Sequence, residues 1–247
     1  PEERISEMMR CGNAPAIIVD EKCAGVWDKD AITCHELTES SELAINTVSH
    51  VDDDLFLYFT SGSTGAPKKV LLKNDGILNS ICTKIHEMKI CSDDKLSYVL
   101  SSGFVSSLWC CLGPAVVGAE LVYTDTPYDV YSFFMHCRDR HVTIVEIAPS
   151  FLKTFLNIER LNAKPLDLQK MKWLVSTGEE IASGAAASFY ALHGNRRPYI
   201  LNAYGMTECS DDVLHHPVKP GQIERIIPLG RPALRTSIYI LDEQHRL

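Results

Sequence analysis

From Leu96 to Ala203, short apolar runs alternate with longer helix-like segments. Ser97 to Leu100, Glu120 to Thr124, Thr143 to Ile147, Trp173 to Ser176 and Tyr199 to Ala203 predict strands. Between them, Ser107 to Val117, Val130 to Arg140, Ser150 to Glu159 and Ser183 to His193 predict helices. Such alternation predicts an α/β fold of mostly parallel β-sheets flanked by helices. Upstream the beat is weaker. Arg4 to Met9 predicts a short helix, and Ala14 to Asp20 a buried strand ending in a turn. Residues 21 to 50 read as polar and irregular, apart from a short strand near Cys23 to Trp27. Leu55 to Phe59 and Val70 to Leu72 predict strands on either side of a loop rich in hydroxyls and glycines. Asn74 can cap a helix running to about Ile90. Thr236 to Leu241 predicts a last strand, followed by a polar turn over Asp242 to Leu247.

Composition narrows the class. The 247 residues suffice for one large or two modest domains with real cores. No apolar run is long enough to span a bilayer, so no membrane role is expected. A formal charge of -8 argues against a nucleic-acid partner. The charged opening Pro1-Glu2-Glu3-Arg4 is unlike a signal peptide. Nine cysteines, odd in number and without a Cys-x-x-Cys pair, predict free thiols in a reducing, cytoplasmic setting. Asp52-Asp53-Asp54 reads as a solvated turn ahead of a core strand rather than a metal site.

The loop after Phe59 carries the first chemistry. Thr60, Ser61, Ser63 and Thr64 offer hydroxyls, and Lys68 a positive charge. Gly62 and Gly65 let the backbone approach a ligand, and successive N–H groups in such a turn form an anion-binding nest. The spacing is not that of the common P-loop, which needs Gly-x-x-x-x-Gly-Lys-Ser/Thr opening a helix. As a short hydroxyl-glycine run it would also suit a flexible turn. The whole string Tyr58-Phe59-Thr60-Ser61-Gly62-Ser63-Thr64-Gly65-Ala66-Pro67-Lys68-Lys69 resembles the signature loop of adenylate-forming enzymes. These are the acyl-CoA synthetases, the luciferases and the adenylation domains of nonribosomal peptide synthetases. The usual family form ends Pro-Lys-Gly, so Lys69 is a departure.

Three further strings at predicted strand ends strengthen the resemblance: Ser176-Thr177-Gly178-Glu179-Glu180, Asn202-Ala203-Tyr204-Gly205-Met206-Thr207-Glu208 and Glu146-Ile147-Ala148-Pro149. It implies that Thr177, Gly178 and Glu179 lay their backbone against adenine, while Asn202, Ala203, Tyr204 and Gly205 bracket it. Thr207 would meet the α-phosphate, and Glu208 would hold the magnesium that ATP carries. The reaction implied is attack of a carboxylate on the α-phosphorus of ATP, giving an acyl-adenylate and pyrophosphate. The acyl group would then pass to a carrier-protein thiol on a phosphopantetheine arm. Adjacent His215 and His216 point apart and read as a surface pair.

Peptide-synthetase adenylation domains are the subgroup most resembled, through Phe104-Val105-Ser106-Ser107-Leu108-Trp109. There the family places an aspartate for the α-ammonium where this chain has Val105. The matched pocket positions are Val105, Ser106, Trp109, Glu146, Val175, Thr177, Ala203, Asp211 and Asp212. Three are acidic and none basic, which predicts an amino acid whose amine lies away from the α-carbon, either β/ω-amino or basic. Against this, Glu146 could be held in an internal salt bridge and Asp211-Asp212 could be a solvated turn. An acyl-CoA synthetase, a degenerate nucleotide-binding module without activity and a structural α/β domain are the alternatives. The resemblance covers residues 1–247 and expects them to be the middle of a larger adenylation domain, inactive alone. The family's opening motifs, its ribose-binding aspartate and its small C-terminal domain are not matched.

Overall fold

The computed structural model describes residues 2–12, 14, 17–19, 31–33, 50, 53–60, 67–124, 129–194 and 198–247. The chain divides into two compact units, Pro1–Asn74 and Asp75–Leu247. In the first, helix α1 (Glu2–Gly12) precedes two short parallel strands, β1 (Ile17–Val19) and β2 (Ala31–Thr33). The polar sequence around β2 predicts no strand there. Strands β3 (Asp54–Thr60) and β4 (Lys68–Lys73) then pair antiparallel, with Thr60 opposite Lys68 at the mouth of the loop. The strand expected near Cys23 to Trp27 lies outside the described residues.

The second unit holds a seven-stranded sheet. Helix α2 (Asn74–Met88) leads to β5 (Lys95–Tyr98), α3 (Ser106–Val117), β6 (Glu120–Tyr123), α4 (Val130–Asp139) and β7 (Ile144–Ile147). There follow α5 (Pro149–Glu159), β8 (Trp173–Ser176), α6 (Ser183–His193), β9 (Tyr199–Met206), β10 (Asp211–Val218) and β11 (Arg231–Pro232). The strand order is β11-β10-β9-β8-β7-β5-β6. Strands β5 to β9 run parallel; β10 and β11 are antiparallel additions. The expected parallel α/β architecture is therefore present.

Period-two alternation explains how the sheet is covered on both faces. Val145, Ile147, Leu174 and Ile200 point into the core formed with Phe133 and Phe134 of α4, Leu152 and Phe155 of α5, and Phe189 of α6. Phe134 and Phe155 stack with ring centroids 3.8 Å apart. The alternate residue of β7, Glu146, meets side chains from α2 and α3. All four residues of β7 are buried, as a central parallel strand requires.

The structure differs from expectation at Thr236 to Leu241, which forms no strand. Ile238, Tyr239, Ile240 and Leu241 are exposed, and apolar extended sequence becomes a strand only when a neighbour takes its N–H and C=O groups.

Candidate active site

Strands β8 and β9 end side by side, Ser176 opposite Asn202. Past these ends the chain turns at Gly178, whose φ of +85° costs a glycine nothing sterically. A Cβ there would meet nothing within 4 Å, so the turn keeps an open face. Glu179 sends its carboxylate to the start of α5, accepting from Ser150 N–H at 3.0 Å and the Ser150 hydroxyl at 2.9 Å. This supplies the cap that Ala148 cannot, and it pins the backbone of the turn. In front of that backbone opens a cavity of about 510 Å³, also lined by Asn202, Tyr204, Gly205 and Leu229. Tyr204 is 39% exposed and presents its ring, while Asn202 is buried and donates to the Pro228 carbonyl at 2.8 Å. A slot with backbone edges and an aromatic side chain in its lining suits a planar heteroaromatic ring.

Beyond β9, Thr207 and Glu208 begin a single 3-10 turn, Thr207–Cys209, with Glu208 exposed. Among the described residues no group of three His, Cys, Asp or Glu could hold a metal ion. A cation at Glu208 would need further oxygens from a ligand, a donor set that fits magnesium on a phosphate chain.

The most charged part of the interior lies one residue from the slot. Lys84 of α2 is fully buried, its Nζ 2.7 Å from Asp211 Oδ2, 2.8 Å from Asp212 Oδ2 and 3.5 Å from Glu146 Oε2. Nζ also sits 4.6 Å from the centre of the Trp109 ring, whose Nε1 donates to Glu146 Oε2. Ser80 and Ser106 donate to the two oxygens of Asp211 at 2.9 and 2.8 Å. The Thr177 hydroxyl donates to Asp212 Oδ1 at 2.8 Å. Burial pulls the Lys84 pKa down, and the three carboxylates more than reverse it, leaving it well above the usual lysine value. Burial pushes Glu146 well up and Asp212 up; Asp211, against the same burial, is held below its usual value by Lys84. Asp211 takes a φ of +105°, a strained conformation for a side chain, at a cost of about 1–3 kcal/mol.

A larger cavity of about 650 Å³ lies beside Tyr98, Phe104, Tyr123 and Phe151, where the strand order reverses around β5. Of the strand-end strings expected from the sequence, it is touched by Ile147 and Ala148, and no residue assigned an ATP or substrate role lines it.

The description "AMP-binding enzyme" matches residues 1–247. The chain belongs to that family. Tyrocidine synthase 2 of Brevibacillus parabrevis is 25% identical over 256 residues, covering 100% of this chain and 7% of the synthase. Vanchrobactin synthetase VabF of Vibrio anguillarum is 30% identical over 195 residues, covering 76% of this chain and 7% of the synthetase. Among solved structures, the nonribosomal peptide synthetase FmoA3 in its alpha-methyl-L-serine-AMP bound form has a TM-score of 0.87 at 20% identity. That match covers 100% of this chain and 28% of the FmoA3 chain. This AMP-binding chain thus spans less than a tenth of the two curated relatives.

Thr60 and Lys68 face each other at the end of the β3–β4 hairpin; Ser61, Gly62, Ser63, Thr64 and Gly65 lie outside the described residues. Gly178, Glu179, Asn202, Ala203, Tyr204 and Gly205 share the 510 Å³ cavity, and Thr177 precedes it. Ser106, Trp109, Glu146, Thr177, Asp211 and Asp212 share the polar cluster, while Val105, Val175 and Ala203 are buried. The internal salt bridge allowed for Glu146 is present, Asp211 and Asp212 are buried rather than in a solvated turn, and the base among the three acids is Lys84, which is none of the matched positions. Its signal was legible, since Ile77, Ile81, Lys84 and Met88 fall at i, i+4, i+7 and i+11 of α2, one buried face. His215 is also corrected, being buried with Nδ1 2.7 Å from Glu87 rather than at the surface.

Proposed function

We propose that this chain is the nucleotide- and substrate-binding core of an adenylation domain. It joins a carboxylic acid to AMP, releases pyrophosphate and passes the acyl group to a phosphopantetheine thiol on a carrier protein. The observation carrying this reading is the position of Thr177. Its backbone leads into the slot at Gly178, and its hydroxyl donates into the charged cluster through Asp212. A site for a planar base and a site for a charged acyl group therefore meet at one residue. Adenine lies between the backbone of residues 178–180 and the Tyr204 ring. Thr207 donates to the α-phosphate, Glu208 would hold magnesium, and the string from Thr60 to Lys68 keeps the phosphate-binding role that its sequence implies. Magnesium held there would supply charge neutralisation for the phosphates. The chain's own groups align two anions and shield their repulsion, so no covalent nucleophile is required.

The substrate is an acid bearing an amine away from its α-carbon. Val105 cannot pair with an α-ammonium, and an unpaired buried charge is costly. The three acids around Lys84 outnumber it and provide the counter-charge farther into the protein. A β- or ω-amino acid such as β-alanine, or a basic amino acid, meets that description. ATP–pyrophosphate exchange by the full-length protein tests it. The expected outcome is preference for these acids over ordinary α-amino, aryl and fatty acids. Preference for aryl or fatty acids over every amine-bearing acid defeats the substrate assignment. Failure to exchange with any acid, in a protein that binds ATP, defeats the catalytic reading.

A further inference from the structure

Lys84 reaches the acids from helix α2, not from any of the strand-end loops that the resemblance places around the acyl group. Its side chain is fully buried, and its ammonium is surrounded by three carboxylates and the Trp109 face. The cluster is nonetheless incomplete. Glu146 Oε1 is buried without a hydrogen-bond partner, although Oε2 is held by Trp109. A buried carboxyl oxygen left in this state is destabilising until a donor reaches it. One ammonium faces three carboxyl groups, so a second cation would take over the balance that a bound proton otherwise supplies.

We propose that Lys84 sets both the depth and the charge of the acyl pocket, selecting a short acid with one terminal ammonium and rejecting longer ones. This rests on the adenylation reading above. The Lys84 side chain occupies interior volume that a longer acyl chain would need. Its charge is engaged by Asp211 and Asp212, each of which also holds a hydroxyl. Glu146 Oε1 is left to accept from the substrate's ammonium. Lys84 is thus a specificity residue that acts by filling space and by spending two of the three acids.

Chain-length profiles of ATP–pyrophosphate exchange test this in the full-length protein, from β-alanine through 4-aminobutyrate to 6-aminohexanoate. For the unmodified protein, kcat/KM should fall by about tenfold or more with each lengthening, as pocket discrimination per methylene allows. In Lys84→Ala the optimum should move to the longer acids, whose own ammonium takes the vacated place. In Lys84→Met, which keeps the volume and removes the charge, the short optimum should persist with a raised KM. A purely structural lysine would change stability without moving the optimum. Should Lys84→Ala fail to fold, Lys84→Ala with Asp211→Asn removes one charge of each sign and carries the same readout. An unchanged profile in a folded, active variant overturns the role of Lys84 alone, as does preference of the unmodified protein for 6-aminohexanoate. No exchange with any acid, with ATP binding intact, overturns the adenylation reading and this inference together.

Discussion

One buried ammonium among three buried carboxyl groups cannot be balanced by ion pairing alone, and protons take up the excess. Burial holds Glu146 far above the 4.5 of an exposed glutamate, whereas Lys84 keeps Asp211 below the ordinary 3.8. The two shifts act on stability in opposite directions. The contribution of Asp211 is present above 3.8 and is lost as pH falls through its depressed folded value. That of Glu146 is fully present below 4.5 and is lost as pH rises, because the unfolded chain releases a proton that the folded one retains. The decline is at most about 1.4 kcal/mol per pH unit for one group. Glu146→Gln carries no such proton, so its unfolding free energy should decline less steeply from pH 5 to 9 than that of the unmodified protein. Denaturant titrations across that range measure the slopes, and equal slopes would place the buried proton elsewhere. The sequence shows Glu146 as a charge in an apolar strand, but not what answers it. Lys84 lies 62 positions away and shows itself only when α2 is read as a helix with one buried stripe.

At the scale of elements, the β9–β10 hairpin places both aspartates. Met206 pairs with Asp211 and Gly205 with Asp212, and the register then slips at Val213, whose carbonyl accepts from Ala233 at 2.8 Å. The strands approach so closely that a Cβ on Gly205 would lie 2.0 Å from the Asp211 carbonyl oxygen. Backbone cannot yield there as a side-chain tip can. Gly205→Ala should therefore push β10 away from β9 and draw Asp211 and Asp212 off Lys84, costing about 1–3 kcal/mol or more. Gly178→Ala, with positive φ but open space, should cost about 1 kcal/mol. Thermal unfolding of the two variants compares them, and an equal loss would mean that β10 yields to the added methyl. The parallel strands were legible because each is a short apolar run between helices. Strand β10 was not: Asp211, Asp212, His215, His216 and Pro217 disguise it, and it gains a strand's identity only by pairing with β9. Thr236 to Leu241 is the converse case, with strand-like composition but no ladder among the described residues.

For the whole molecule, parallel strands bring chemistry from distant sequence to one edge. Gly178 and Tyr204 line one cavity because β8 and β9 are neighbours pointing the same way, and ligands of open α/β sheets collect at such carboxyl ends. This division of labour was legible as motifs, since each strand-end string carries its own chemistry. Side-chain use was less so: the Glu179 carboxylate serves the start of α5, leaving its backbone to the cavity. Glu208 differs, standing exposed at the 3-10 turn and free of such structural duty among the bonds described. If its carboxylate holds magnesium, its contribution rises as charge moves onto departing pyrophosphate and matters little to the adenosine moiety. Glu208→Gln in the full-length protein should therefore lower the rate of adenylate formation by about a hundredfold or more while adenosine affinity changes little. Single-turnover adenylate formation beside equilibrium binding of adenosine separates the two. Parallel losses in both would instead assign Glu208 to holding the turn after β9, because a distorted turn would carry Tyr204 and the cavity wall with it.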